Sequence, residues 1–126
     1  MSHNGPINIA RVTGLQAALD AKADLLVTTN SQTGTTYTLV LGDAGDVIEI
    51  SNASAITLTV PTNSSVAFAI GTVIEVFQLG AGQITVSGAG VTFRAPGGAK
   101  TRVQYSTLSL RKRATDEWVI TGDVTT

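Results

Sequence analysis

From Tyr37 to Ile120 the apolar residues of this chain recur at every second position, in short runs broken by turn residues. That spacing suits a pleated strand, whose successive side chains point to opposite faces, and does not line one face of a helix. Tyr37, Leu39 and Leu41 alternate with Thr38 and Val40, and Asp43-Ala44-Gly45-Asp46 reads as a turn. Ile48 and Ile50 follow, then a turn at Asn52-Ala53-Ser54, then Ile56, Leu58 and Val60 up to Pro61-Thr62-Asn63-Ser64. Val66, Phe68 and Ile70 form another run, closed by Gly71. The stretch 73–79 is apolar on both faces, as a central or interface strand would be. Ile84 and Val86, Val91 and Phe93, Val103 and Tyr105, Leu108 and Leu110, and Trp118 and Ile120 complete the series. Turn signals spaced roughly 8–12 residues apart predict a mainly β fold over residues 37–126, an antiparallel β-sandwich or barrel of about nine or ten short strands. Gly80-Ala81-Gly82 returns as Gly88-Ala89-Gly90, which would suit a β-solenoid. Two copies are too few to establish one, and tight hairpin turns are the simpler expectation.

Ahead of this region the period changes. Residues 11–26 carry a helical pattern, with Thr13 and Gln16 spaced as a capping box that satisfies free N–H groups at a helix start. Val12, Leu15, Leu19 and Leu26 fall at a, d, a and a positions of a heptad, with Lys22 at the remaining d. Three to four turns of helix are marginal alone in water, so the stripe must pack on something, and copies of itself are the economical partner. The expectation is one short α-helix that trimerises. Residues 1–10 read as a polar arm in which Ile7 and Ile9 alternate beyond Gly5-Pro6, expected either to be a frayed terminus or to dock on a partner as an anchor. Residues 27–36 read as a small polar linker.

Composition narrows the functional classes. The chain has no cysteine, so disulfides and thiolate metal sites are excluded. A net charge of −1 makes no overall case for nucleic acid, and no apolar run reaches the length of a membrane span. Charged residues are 13% of the chain against a usual figure of about 25%. So few charges suggest that much of the surface is covered in an assembly.

Catalytic constellations are hard to assemble. The one histidine, His3, sits in the arm, away from any serine–carboxylate pair in the β region. Asp43, Asp46, Asp116 and Glu117 fall in predicted turns, where they favour Asx turns and solubility rather than general acid–base work. Neither a cofactor nor a metal is expected. Gly80-Ala81-Gly82 precedes no helix, so it lacks the dipole and free N–H groups of a phosphate loop. One charge feature stands out: Arg94, Lys100, Arg102, Arg111, Lys112 and Arg113 share a window without an acidic residue. Arg94, Lys100, Arg102, Arg111 and Arg113 are therefore candidates for an anionic-ligand surface, the plainer reading being edge-strand charges that block sheet-to-sheet association. Tyr105 and Trp118 are candidates for sugar stacking, but alternation with Ile120 directs Trp118 to the core.

The segment Val12-Thr13-Gly14-Leu15-Gln16-Ala17-Ala18-Leu19-Asp20-Ala21-Lys22 resembles one that recurs in bacteriophage tail and head fibres as a trimeric helical stem. Tyr37–Leu41, Asp43-Ala44-Gly45, the run from Asn52 to Pro61, Gly71–Val76, Gly80–Gly82 and Asp116–Asp123 resemble a β domain near the C-termini of virion surface proteins. The resemblance implies a homotrimer on the virion surface, held to a capsid or tail protein by the arm (Ile7, Ile9) and bundled through Val12, Leu15, Leu19 and Leu26. A host-surface glycan is a further implied partner; membrane insertion is not. At 126 residues the chain suits a short head fibre or capsid decoration protein better than a long tail fibre. Other readings are a tail receptor-binding protein, a monomeric carbohydrate-binding module and, last, a small hydrolase.

Overall fold

The computed structural model describes residues 26–126. The predicted arm and most of the predicted helix, with Ile7, Ile9, Val12, Leu15 and Leu19, lie outside the described residues. Eleven strands follow one another: β1 (Thr29–Gln32), β2 (Thr36–Thr38), β3 (Val47–Ile50), β4 (Ile56–Thr59), β5 (Val73–Gln78) and β6 (Ile84–Ser87), then β7 (Thr92–Arg94), β8 (Lys100–Thr101), β9 (Thr107–Ala114), β10 (Glu117–Gly122) and β11 (Val124–Thr125). A 3₁₀ turn at Leu41–Asp43 joins β2 to β3. The described fold is thus mainly β, as the two-residue period requires.

Its strand directions are not those expected. One sheet runs β1-β3-β5-β9-β10-β7 and the other β11-β8-β6-β4-β2. From β1 to β6 successive strands alternate between the sheets, so each pair makes one coil of a stacked, two-sided winding. Within each sheet the coils pair in parallel: β1 with β3 with β5, and β2 with β4 with β6. Antiparallel pairing is confined to β5-β9-β10 and β6-β8-β11, while β7 lies parallel to β10. The antiparallel sandwich or barrel is therefore corrected to a mixed structure opening with a short parallel β-solenoid. The reason is physical: alternation dictates which face a side chain takes, not the direction of the neighbouring strand. The turns here pass the chain across to the other sheet instead of folding it back.

The Gly-Ala-Gly repeats show this most directly. A Cβ on Gly80 would stand 2.6 Å from the backbone nitrogen of Asn52, and one on Gly82 would meet the carbonyl oxygen of Ser54. One on Gly88 would stand 2.5 Å from the carbonyl oxygen of Val60. These glycines let one coil's corner lie against the backbone of the coil before it, a close approach that a side chain would block. Hairpin turns were the wrong explanation for them.

The core lies between the sheets as ladders of equivalent positions. Ile48 stands beside Val76 and then Leu108, Leu58 beside Val86, and Ile56 beside Ile84, all buried. Trp118 is buried as expected and meets Phe68 edge-on at 5.5 Å. The first coil departs from this pattern, because Asn30, Gln32 and Tyr37 hold the rungs next to Ile48, Ile50 and Leu58. Three further local expectations change. Val103 and Tyr105 are not a strand; they lie in the turn between β8 and β9, both exposed, with Tyr105 at φ 72°. Residues 29–32, placed in the polar linker by composition, form β1. Val66, Phe68 and Ile70 are not a strand; they belong to the long connection from β4 to β5, with Phe68 tucked into the core. The two-faced stretch 73–79 is central as expected, with β5 between β3 and β9.

Candidate functional site

The basic window of the sequence does not become one basic patch. Arg94 and Arg111 flank Val119 on the outer face of the six-stranded sheet, and Arg113 lies further along β9. Lys100 is on β8 in the other sheet, and Arg102 follows that strand. Acidic residues from outside the window meet three of the five. Glu117 Oε2 lies 3.1 Å from Arg94 Nε and 3.0 Å from Arg113 Nη1. Arg102 makes a two-pronged contact with Asp123, Nε to Oδ1 at 2.6 Å and Nη2 to Oδ2 at 3.1 Å. The hydrogen bond from Arg94 and the nearby charge of Arg113 hold the Glu117 carboxyl below its usual range. Arg102 and the Ser106 hydroxyl do the same for Asp123. Such exposed pairs orient side chains more than they stabilise the fold. Arg111 and Lys100 have no ion-pair partner among the described residues, and they stand on different sheets.

Two charged groups are buried instead, and composition indicated neither. Asp43, expected as a solubilising turn residue, is only 2% exposed. The 3₁₀ turn directs it into the first coil, where Oδ2 accepts from the Tyr37 hydroxyl at 2.7 Å and the Val40 N–H at 2.9 Å. Oδ1 accepts from Asn30 Nδ2 at 2.9 Å, and Asn30 is steadied by Gln32 Nε2 at 2.8 Å. The carboxylate is satisfied by dipoles, with no cation in contact among the described residues. Burial, and then the hydrogen bond to Asp43, pushes the Tyr37 phenol up to about 12. The polar rungs of the first coil therefore form one connected network that closes that end of the apolar core.

Lys112, part of the basic window, is also 2% exposed. Its Nζ donates to Asn63 Oδ1 at 2.6 Å and to the Phe68 carbonyl at 2.7 Å. Both acceptors belong to the connection between β4 and β5. Asp116, at the tip of the β9–β10 hairpin with φ 53°, accepts the Asn63 N–H at 2.7 Å. The hairpin thus grips the connection from two sides.

Part of the exposed apolar surface lies where the chain enters the fold. Leu26 is 79% exposed, and Val27 and Val73 are exposed beside it in sequence or space. Val27, Val47 and Val73, with Gly45, Asp46 and Glu75, line a groove of about 170 Å³. The half-buried Phe77 and the exposed Tyr105 stack with centroids 6.3 Å apart, so Tyr105 is not paired with Trp118. Among the described residues no group of three His, Cys, Asp or Glu side chains is placed to hold a metal ion. No helix among them is long and apolar enough to cross a membrane.

No protein-family model matches this sequence, and no characterised protein aligns with it significantly. The functional reading accordingly rests on the residues themselves. The buried pair of charges had no sequence signal beyond the alternation that places Lys112 in phase with Leu108 and Leu110.

Proposed function

We propose that this chain is a structural protein of a bacteriophage virion, a short homotrimeric appendage of the head-fibre or capsid-decoration kind. In this reading the arm of residues 1–10, through Ile7 and Ile9, docks on a capsid or tail protein. Residues 11–26 bundle three chains through Val12, Leu15, Leu19 and Leu26, and the β module faces outward, available for adhesion to the host surface. The observation that carries the reading is the heptad stripe placed directly ahead of the β module. The exposed Leu26 and Val27 beside the valine-lined groove support it, because they leave apolar surface where the stem would meet the module. A stacked-coil module with no cysteine suits an outward-facing part whose shape does not depend on redox conditions. Trimerisation would also let three weak surface contacts act together, raising avidity over single-site affinity by about 10²–10⁴.

The test is the native mass of the full chain beside that of a Leu15→Asp, Leu19→Asp variant. A trimer that becomes a monomer with unchanged β-type circular dichroism supports the stem. A monomeric parent chain, or a trimer that survives both substitutions, overturns it.

A further inference from the structure

The contact between Lys112 and Asn63 is unusual for a lysine. An ammonium group prefers water or a carboxylate, yet this one is buried against an amide oxygen and a main-chain carbonyl, with no acidic group in ion-pair contact among the described residues. Its surroundings are apolar and aromatic. Trp118 stands opposite Lys112 in the β9–β10 pairing, and the Phe68 ring meets Trp118 edge-on. The Phe68 carbonyl takes one N–H of Nζ, which fixes the amine's orientation, and the 2.6 Å contact to Oδ1 brings Nζ up to the side-chain amide of Asn63. Asp116 is tied to the same asparagine through its backbone N–H.

A buried amine held against a carboxamide beside aromatic rings supplies the two reactants of amide exchange. We propose that Lys112 and Asn63 become joined after folding by an intramolecular isopeptide bond. In the step, the Nζ ammonium gives up one proton to solvent and its freed electron pair forms a bond to Cγ of Asn63. The Cγ–Nδ2 bond then breaks, and Nδ2 leaves with its two hydrogens and one added proton as ammonia. That added proton is the second one shed by Nζ, which keeps a single hydrogen as the new amide nitrogen, while Asp116 holds the Asn63 backbone beside the amine. One primary amide is exchanged for one secondary amide, so neither an oxidant nor a cofactor is required. Carboxamides are poor electrophiles in water, and the fold's contribution is proximity. Well-oriented intramolecular reactants reach effective concentrations of about 10⁵–10⁸ M. The product would staple the connection at residues 61–72 to the β9–β10 hairpin, a covalent tie in a chain without cysteine.

The experiment is the intact mass of the purified, denatured full chain, followed by proteolysis and sequencing of the fragments. The expected result is a mass lower than the sequence requires by one ammonia, with a branched fragment joining Asn63 to Lys112. Locating the branch matters because Asn4-Gly5 can also lose ammonia by cyclising, without joining two fragments. Asn63→Ala should restore the unmodified mass. A parent chain with separate Asn63 and Lys112 fragments overturns the proposal whether or not any variant folds.

Discussion

Asp43 and Lys112 are equally buried, but they are held in opposite ways. The carboxylate takes donors from within its own coil and turn, three, six and thirteen positions away along the chain. The ammonium takes acceptors 44 and 49 positions away. The first is a local device that ends the apolar core in a polar plug. The second is a long-range tie that secures a loop no regular strand supports. In neither case does an opposite charge appear in contact among the described residues, so both rely on oriented dipoles in a medium where an unpaired group is costly. The lesson is that burial alone does not set what a charge does; the sequence distance to its partners decides whether it shapes one turn or couples two regions.

The sharpest way to break the comparison is Lys112→Met. It keeps the stem's bulk but strips two charge-assisted hydrogen bonds and leaves the Phe68 carbonyl without its donor. A loss of about 2–4 kcal/mol in urea unfolding is expected, with faster hydrogen exchange across residues 61–72. Uniform exchange throughout the molecule would show that the tie is not specific to the loop. Asp43→Ala should come next, at about 1–3 kcal/mol, because the donors it abandons lie nearer solvent and can be partly rehydrated. Its exchange signature should stay within β1, β2 and the turn at Leu41–Asp43; spread into β9 and β10 would erase the distinction between local and long-range holding.

Tyr37→Phe should have a smaller effect at neutral pH and a telling one in alkali. The phenol's folded pKa lies above its ordinary value of 10.0, at about 12. Its contribution to stability is therefore complete below pH 10.0 and is lost as pH rises through about 12. Removing the hydroxyl should flatten the stability profile across that window, and an unchanged alkaline slope would mean that Tyr37 does not report on Asp43. The smallest effect belongs to the surface. Glu117 and Asp123 titrate below their ordinary values, so their contribution is present above the usual carboxylate range and fades as pH falls through the lowered values. Glu117→Gln should barely move the urea midpoint at neutral pH, and added salt should shrink even that difference.

Much of the β module was legible before any coordinates. The two-residue period located most strands, and it placed Ile48, Ile50, Ile56, Leu58, Ile84, Leu108, Leu110 and Ile120 inward, where they are found. It erred at 66–70, because alternation over three apolar residues is also met by an irregular loop that buries one of them. It missed β1, because Thr29–Gln32 carries polar residues on both faces and looks like linker. The candidate anionic surface was less legible. An acid-free window along the chain says nothing of Glu117 and Asp123, which β10 and the segment after it bring alongside the arginines.

What the amino-acid order determined by itself was periodicity: which residues pair with water and which with each other, since side-chain direction along a strand is a local property of the backbone. Strand direction, the stacking of corners on Gly80, Gly82 and Gly88, and the partners of Asp43 and Lys112 were decided only by the tertiary structure. Those features depend on which distant segments are brought into contact, and closing contacts between distant segments is a property of the whole chain that no local pattern encodes.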